Sequence, residues 1–167
     1  AFSMALQTDG KIVVCGTSDG NFAVVRYLPN GLIDNSFDLD GIVTTDMNYT
    51  EEAYSVVIQN DQKIVICGKS SFTNYFSEMA LIRYNADGSL DNTFDSDGKI
   101  KTSLPGFRQW GSQVVLQEDG KIIVTGGIDK DNKVEGILIR YNQNGSIDKS
   151  FDSDGIVISE LGRSIAL

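Results

Sequence analysis

Three copies of an acidic loop contain the residues best suited to binding a cation. The loops read DNSFDLDG at 34–41, DNTFDSDG at 91–98 and DKSFDSDG at 148–155. Each places carboxylates at its first, fifth and seventh positions, and carboxylates in a glycine-bearing loop are ligands that Ca²⁺ prefers. The spacing is not that of an EF-hand, and Asx turns would explain the same residues without a metal. We therefore expect no cofactor, with calcium as the one candidate; its possible ligands are Asp34, Asp38, Asp40, Asp91, Asp95, Asp97, Asp148, Asp152 and Asp154.

An arginine followed by a tyrosine recurs shortly before each acidic loop and could bind an anion. A ring of such cations around a channel would suit an anionic ligand. The alternative is that each arginine pairs with the first Asp of its own loop, because a buried guanidinium needs a carboxylate or several carbonyls. Repetition in every copy favours the pairing, since a functional site usually breaks the symmetry of an array. The residues are Arg26, Arg83 and Arg140.

The amino-acid composition excludes most other kinds of catalytic and binding site. The chain has no His, which excludes Ser-His-Asp catalysis, His-ligated zinc and a histidine pH switch. Asp and Glu number 23 against 14 Lys and Arg, a net charge of -9, so the surface repels nucleic acid and anionic lipid. No apolar run approaches the length of a membrane span. An enzyme would need paired carboxylates, as in a glycan hydrolase or lyase; the nearest unrepeated acids, Asp129, Asp131 and Glu135, resemble solvated hairpin charges.

The elements that hold these residues recur three times along the chain. AFSMALQTDGKIVVCG at 1–16 returns as AYSVVIQNDQKIVICG at 53–68 and as GSQVVLQEDGKIIVTG at 111–126. A second block follows each one, contains the acidic loop, and ends at Val43, Ile100 and Val157 in the three copies. The length varies between the blocks and not inside them, as expected when each repeat is one supersecondary unit with variable connections.

The sequence pattern of each repeat predicts four short strands and no helix. The first strand alternates, with Phe2, Met4 and Leu6 on one face, which predicts a sheet stacked between two neighbouring sheets. The second strand, KIVVCG in the first copy, is a continuous β-branched run, which predicts burial on both faces. Cys15 and Cys67 lie in this strand, and we interpret them as packing residues and not as a disulfide. Asn-Gly or Asp-Gly turns follow the third strand.

These blocks resemble a known repeat family. The string DGKIVVCGTSDGNFAVVRYLPNGLIDNSFDLDGIV at 9–43 closely resembles the bacterial delta-60 repeat, a β-propeller-type repeat of large extracellular or cell-surface proteins. The resemblance covers essentially the whole chain and implies an architecture and an extracellular or cell-surface location, but no activity. Gln62 departs from the pattern, because it stands where a turn glycine is expected.

We therefore predict an all-β chain of tandem four-stranded antiparallel β-propeller blades, with three full repeats and one extra strand. Three blades do not close a ring comfortably, since propellers have four to eight. Further blades of a longer chain would complete the ring, or else a homodimer with GRSIAL displaced from its slot. The predicted divisions are 1–52, 53–110 and 111–161 for the three blades and 162–167 for the first strand of a further repeat.

Differences between the copies are the better guide to function. The second repeat carries an insertion, SSFTNYFSE, and the link to the third reads LPGFRQWG. Both connections should emerge on the same edge of a blade, and exposed aromatic residues with arginine are typical of binding hot spots; the same aromatics could instead cap the blades. We predict a non-enzymatic scaffold or interaction module that binds protein or glycan, with the glycan hydrolase or lyase as the alternative. The candidate site residues are Phe72, Tyr75, Phe76, Phe107, Arg108 and Trp110.

Overall fold

The chain folds entirely into strands and turns in a computed structural model that describes residues 1–73, 76–104, 108–130 and 133–159. No helix occurs in these ranges, and so none that could cross a bilayer. The all-β prediction is confirmed. The strands are β1 (Ser3–Leu6), β2 (Ile12–Ser18), β3 (Asn21–Tyr27), β4 (Ile42–Thr45), β5 (Thr50–Ile58), β6 (Ile64–Thr73), β7 (Phe76–Tyr84), β8 (Lys99–Thr102), β9 (Arg108–Leu116), β10 (Ile122–Lys130), β11 (Lys133–Tyr141) and β12 (Ile156–Ser159).

The strands form antiparallel groups of four in chain order. β1 to β4 make one sheet, and each strand pairs with the next. β5 to β8 and β9 to β12 repeat this arrangement. A single parallel bridge between Ser77 and Arg108 joins the second and third groups. We call the three groups blades 1, 2 and 3.

Two hydrophobic cores lie between successive blades. The first joins residues of blade 1, such as Val13 and Val24, to residues of blade 2, such as Ile64 and Ile82. The second joins the opposite face of blade 2 to blade 3 in the same way. Removing this apolar surface from water is the main stabilising contribution to the stack.

The second strands show which faces are covered. In β6 the four residues from Ile64 to Cys67 are all 0% exposed, so the prediction of burial on both faces is confirmed there. In β2 buried residues alternate with half-buried ones, because only one of its faces packs against another described blade. Cys15 and Cys67 are free and buried, as predicted.

The prediction for the first strand is wrong in blade 1. Phe2, Met4 and Leu6 are 61%, 68% and 67% exposed, although alternation predicted that they pack between sheets. The Phe2 ring meets Tyr54 of blade 2 edge-on, with centroids 5.7 Å apart, but no other described blade lies against Met4 and Leu6. The equivalent Val56 of blade 2 is only 5% exposed because blade 1 covers it.

Two segments that were predicted to be connections between strands form β-strand instead. The insertion in the second repeat extends β6 and β7 into a longer hairpin, whose pairing continues to Thr73 and Phe76 past a register shift. Arg108 and Trp110, predicted in a link, belong to β9. Hydrogen bonding to β10 explains this placement. Gln62 adopts a φ of 68°, the left-handed conformation that glycine favours.

Candidate functional site

The acidic loops stand at one end of every blade, which we call the turn end. Here the Nε of each repeated arginine donates to the first Asp of its own loop, at 2.7 Å for Arg26 with Asp34 and 2.6 Å for Arg83 with Asp91. Blade 3 repeats the pair at 2.8 Å. Each guanidinium also lies over the Phe of its loop, 4.4 to 4.5 Å from the ring centroid. The predicted Arg–Asp pairing is confirmed.

Two of these arginines, Arg83 and Arg26, also tie their own blade to the next one. Nη1 of Arg83 donates to the carbonyl of Gln143 at 2.5 Å, and Nη1 of Arg26 donates to the carbonyl of Ala86. The amide of Asp95 donates to the carbonyl of Asn144 at 3.0 Å. The turn end therefore builds the stack, and its arginines are occupied by structural partners.

The first carboxylate of each loop is also occupied by structural partners. Oδ1 of Asp34 accepts hydrogen bonds from the amide and hydroxyl of Ser36, at 3.1 and 2.6 Å, which is the predicted Asx turn. Burial raises the pKa of Asp34, but the hydrogen bonds from Ser36 and the charge of Arg26 outweigh it and hold that pKa well below its ordinary value. The pKa of Asp91 is lowered in the same way. In Asp148 the hydrogen bond from Ser150 is the main cause of a lowered pKa.

The calcium hypothesis gains no support from this geometry. In the ranges described, no group of three or more carboxylate or thiol side chains is arranged to hold a metal ion. Asp40, Asp97 and Asp154 each accept a hydrogen bond from the amide two residues later, at 2.9 Å. Asp38, Asp95 and Asp152 are exposed and adopt left-handed backbone conformations.

The predicted aromatic site lies at the opposite end of the blades, which we call the groove end. Phe72 is near the end of β6, Phe76 begins β7, and Arg108 and Trp110 lie at the start of β9. Because β6 runs antiparallel to β7, and β7 bridges β9 in parallel, all three strand ends meet there. The other two candidates, Tyr75 and Phe107, lie outside the described residues.

Two adjoining cavities of about 500 and 510 Å³ open at the groove end. Both are lined by Lys69 and Arg108, so they form one continuous depression across blades 2 and 3. Trp110 lines the first cavity and Phe72 the second. We call this depression the aromatic groove and define it by Glu52, Tyr54, Lys69, Phe72, Arg108 and Trp110.

A hydrogen-bonded set of polar groups crosses the groove. Nζ of Lys69 lies 2.9 Å from Oε1 of Glu52, and the Tyr54 hydroxyl donates to Oε2 at 2.7 Å. Burial raises the pKa of Glu52, but the hydrogen bonds from Lys69 and Tyr54 outweigh it, so the pKa of this carboxyl is lowered. Burial, together with the hydrogen bond to Glu52, raises the pKa of Tyr54.

Arg108 adds a second cation to the groove. Its side chain is exposed and makes no ion pair with any residue that the structure describes. The residues that define the groove carry two cations, Lys69 and Arg108, and one carboxylate, Glu52, on a chain of net charge -9; Asp129 lies opposite Arg108 in the strand register. Such a contrast concentrates anionic groups of a ligand at the groove.

A glycine makes room for the indole of Trp110. Trp110 pairs with Gly127 across β9 and β10, and a Cβ at Gly127 would come within 2.2 Å of the indole ring. The equivalent cross-strand pair in blade 2 is Glu52 with Lys69. One blade thus presents a half-buried aromatic ring and its neighbour an ion pair, at matching positions of the same groove.

Further aromatic residues border the second cavity. The Phe72 and Phe76 rings stack with centroids 5.7 Å apart, and Phe72 lies 5.4 Å from Tyr49. Nζ of Lys101 sits 4.3 Å from the Tyr49 centroid. Phe72 is 50% exposed and Phe76 is 42% exposed, so this cluster presents apolar surface to solvent.

Sequence reasoning missed three groove residues: Glu52, Tyr54 and Lys69. The signal for them was present, because their equivalents differ in blade 3, where Trp110, Ser112 and Gly127 occupy the matching positions. The copies therefore differ within their strands as well as in their connections.

Stacked four-stranded antiparallel sheets with repeated turns define a β-propeller-type repeat protein. The chain belongs to the family described as "Domain of unknown function (DUF5122) beta-propeller", whose model matches residues 7–37, 59–94 and 117–151, more than half of the chain. The predicted β-propeller-type repeat family is thereby confirmed.

One similar solved structure is a fucose lectin from Kordia zhangzhouensis in complex with methyl-fucoside. It is 12% identical, the match covers 94% of this chain and 96% of that chain, and the TM-score is 0.51. At this identity the likeness concerns the fold. No functionally curated protein matches the chain significantly.

Proposed function

We propose that this chain is a non-enzymatic binding module that holds a glycan in the aromatic groove. The observation that carries the proposal is the placement of Trp110 and Tyr54 in one cavity with Lys69 and Arg108. Sugar rings pack their C–H faces on aromatic side chains, and a few polar groups fix their orientation. The two cations favour a glycan that bears a carboxylate or sulfate.

The fucose lectin supports a sugar ligand at the level of architecture. That protein holds methyl-fucoside, so a chain with this fold can present a sugar site. The specificity of the present chain would follow from its own groove residues.

The geometry favours binding over hydrolysis. Glycosidases use two carboxyl groups on either side of the scissile bond, one of them with a raised pKa. Within the described lining of the two cavities, Glu52 supplies the one carboxylate. Its pKa is lowered, and its oxygens are engaged by Lys69 and Tyr54, which suits an acceptor of sugar hydroxyls better than a general acid.

A protein ligand is the second candidate, and the exposed cluster beside the groove favours it. Tyr49, Phe72 and Phe76 present adjoining aromatic surface of the kind found at interface hot spots. A protein that used this cluster would dock over the second cavity and leave Trp110 free.

The wider setting is also part of the proposal. We infer a secreted or surface-attached bacterial protein of the delta-60 type, in which the three predicted repeats at 1–52, 53–110 and 111–161 belong to a closed propeller of more than three blades. A ring of four to eight blades is usual for this architecture, and a large binding protein outside the cell is consistent with the acidic surface.

A glycan array run together with a hydrolysis assay tests the function. We expect retention of acidic oligosaccharides without release of shorter sugars. Trp110→Ala should reduce glycan affinity at least about tenfold, because it removes the stacking ring. Arg108→Gln should reduce affinity for acidic glycans only, and Lys149→Gln, which removes an exposed charge at the turn end, is the matched control.

Three outcomes would contradict parts of this proposal. Release of shorter sugars would replace binding by catalysis. Unchanged glycan affinity in Trp110→Ala, with the fold intact by circular dichroism, would remove the groove as the site. Protein binding that is lost in Phe72→Ala but kept in Trp110→Ala would favour the second candidate.

A further inference from the structure

The outer face of blade 1 is apolar, and no blade in the described part of the chain covers it, whereas the same face of the other two blades is covered. Met4 is 68% exposed, whereas its equivalents Val56 and Val114 are 5% and 1% exposed. Val14 and Val25 are half-buried on the same face. We call this surface the blade-1 face; it comprises Met4, Leu6, Ile12, Val14, Val25 and Tyr27.

The two interfaces inside the chain show what covers such a face. Residues equivalent to Val14 and Val25, namely Ile66 and Ile82 in blade 2, are 0% exposed because the opposite face of blade 1 packs on them. The second interface repeats this packing with Val124 of blade 3. The surface complementary to the blade-1 face is thus the opposite face of another blade of this repeat.

Blade 3 presents a surface of that kind. Leu138 and Val157 are half-buried, and their blade-2 equivalents Leu81 and Ile100 belong to the core between blades 2 and 3. We call this surface the blade-3 face; it comprises Leu138, Arg140, Val157 and Ser159.

The polar links between blades have matching halves on the two faces. The hydroxyls of Tyr84 and Thr45 are 2.6 Å apart across the first interface, and Tyr141 with Thr102 repeats this at 2.7 Å. Tyr27 and Ser159 hold the corresponding positions on the blade-1 and blade-3 faces. Each face therefore carries one hydroxyl of the same pair.

The hydrogen bond from an arginine to a carbonyl of the next blade also has its donor on one of these faces and its acceptor on the other. The side chain of Arg140 is 17% exposed, against 4% for Arg26 and 5% for Arg83, and its Nη1 has no acceptor among the described residues. The carbonyl of Pro29 corresponds to the acceptor carbonyls of Ala86 and Gln143 and stands at an exposed position. Donor and acceptor thus remain on opposite faces.

We propose that a second copy of this chain docks head to tail, with its blade-3 face on the blade-1 face. The junction would bury Met4 against Val157, let Arg140 donate to the Pro29 carbonyl, and pair Tyr27 with Ser159. Two such junctions join two chains into six blades, within the range in which propeller rings close. The contact is heterologous, because each chain contributes a different face.

The experiment measures the mass of the 167-residue chain by sedimentation velocity across a concentration series. We expect a complex of two chains. Met4→Asp on the blade-1 face and Val157→Asp on the blade-3 face should each prevent closure and shift the protein to the monomer, because a buried carboxylate without a partner is strongly unfavourable. Asp46→Asn, an exposed change outside both faces, is the matched control.

A mixture of the two variants tests the head-to-tail arrangement. Each variant keeps one intact face, so Met4→Asp and Val157→Asp should form a 1:1 complex with each other although neither self-associates. Wild-type protein that stays monomeric at all concentrations would overturn the proposal, as would self-association of Val157→Asp alone. Circular dichroism of Met4→Asp should match that of the wild type, because Met4 is exposed in the single chain. Loss of association in this variant then reports on the blade-1 face and not on unfolding.

Discussion

The two ends of the blades follow opposite rules. At the turn end the Arg–Asp pair recurs in all three blades with Nε to Oδ2 distances of 2.7, 2.6 and 2.8 Å. At the groove end one cross-strand position holds Thr17, Lys69 and Gly127 in successive blades. Residues identical in every copy thus hold the stack together, whereas residues that differ between copies form the surface able to discriminate a ligand.

Burial explains the difference between the two ends. The Arg26 and Asp34 side chains are 4% and 6% exposed, and a buried charge must keep its partner because losing it leaves an uncompensated ion. Lys69 and Glu52 are 20% and 34% exposed, so water can replace either partner. The groove end therefore tolerates substitution of its charged residues, whereas the turn end does not.

Acid should produce the largest effect, because it acts on all three turn-end carboxylates together. The pKa values of Asp34, Asp91 and Asp148 lie below their ordinary value of 3.8 in the folded chain. Their contribution to the free energy of unfolding is therefore complete above that value and is lost as the pH falls through the lowered folded pKa values. The urea concentration at the midpoint of unfolding should stay constant from pH 7 to about pH 5 and fall steeply below about pH 4.

Asp91→Asn provides the matched comparison for the acid experiment. This variant has one titrating turn-end carboxylate fewer, so it should lose less stability between about pH 5 and pH 3 than the wild type does. Equal losses in the two proteins would show that acid acts elsewhere.

Removal of a single turn-end carboxylate should have the next largest effect. Asp91→Ala leaves Arg83, which is 5% exposed, without its anion, and should lower the free energy of unfolding by about 3 kcal/mol. Urea denaturation at pH 7 measures this loss. Glu118→Ala, at an exposed position of blade 3, should change stability by less than about 0.5 kcal/mol. If the two variants lose the same amount, the turn end does not hold the stack.

The smallest expected effect on stability lies at the groove end. Gly127→Ala places a Cβ against the indole of Trp110, so the ring must shift, at a cost of about 1 kcal/mol. The chain has one Trp, and its fluorescence emission reports the shift directly. Thr17→Ala, at the equivalent and exposed position of blade 1, should leave the emission unchanged. Identical emission from Gly127→Ala would mean that the glycine does not position the indole.

The repeated features were predictable because each occurs three times in the sequence. Arg83, Asp91 and Phe94 recur with constant spacing in every copy, so the burial and pairing of one copy apply to the others. The four-strand repeat and the free, buried cysteines followed from the same regularity. A periodic sequence limits the structures that all of its copies can adopt together.

The unrepeated features were predicted less well, for two physical reasons. The insertion SSFTNYFSE was predicted as a connection between strands, but hydrogen bonding across the hairpin extends β6 and β7 through part of it. The exposure of Met4 was missed because alternation identifies an apolar face and not what covers that face. No repeated sequence pattern singles out Glu52 and Lys69, which the fold places in the groove beside Trp110.

The links between blades bear on how such arrays grow. At the turn end Arg26 and Arg83 bind main-chain carbonyls of the next blade, at Ala86 and Gln143, and every residue type supplies a carbonyl. A receiving blade therefore needs no matching side chain at that position, where the first copy carries Pro29. At this contact a duplicated or exchanged blade needs no compensating substitution in its neighbour, so matching side chains are required only by the hydroxyl pairs and the apolar cores.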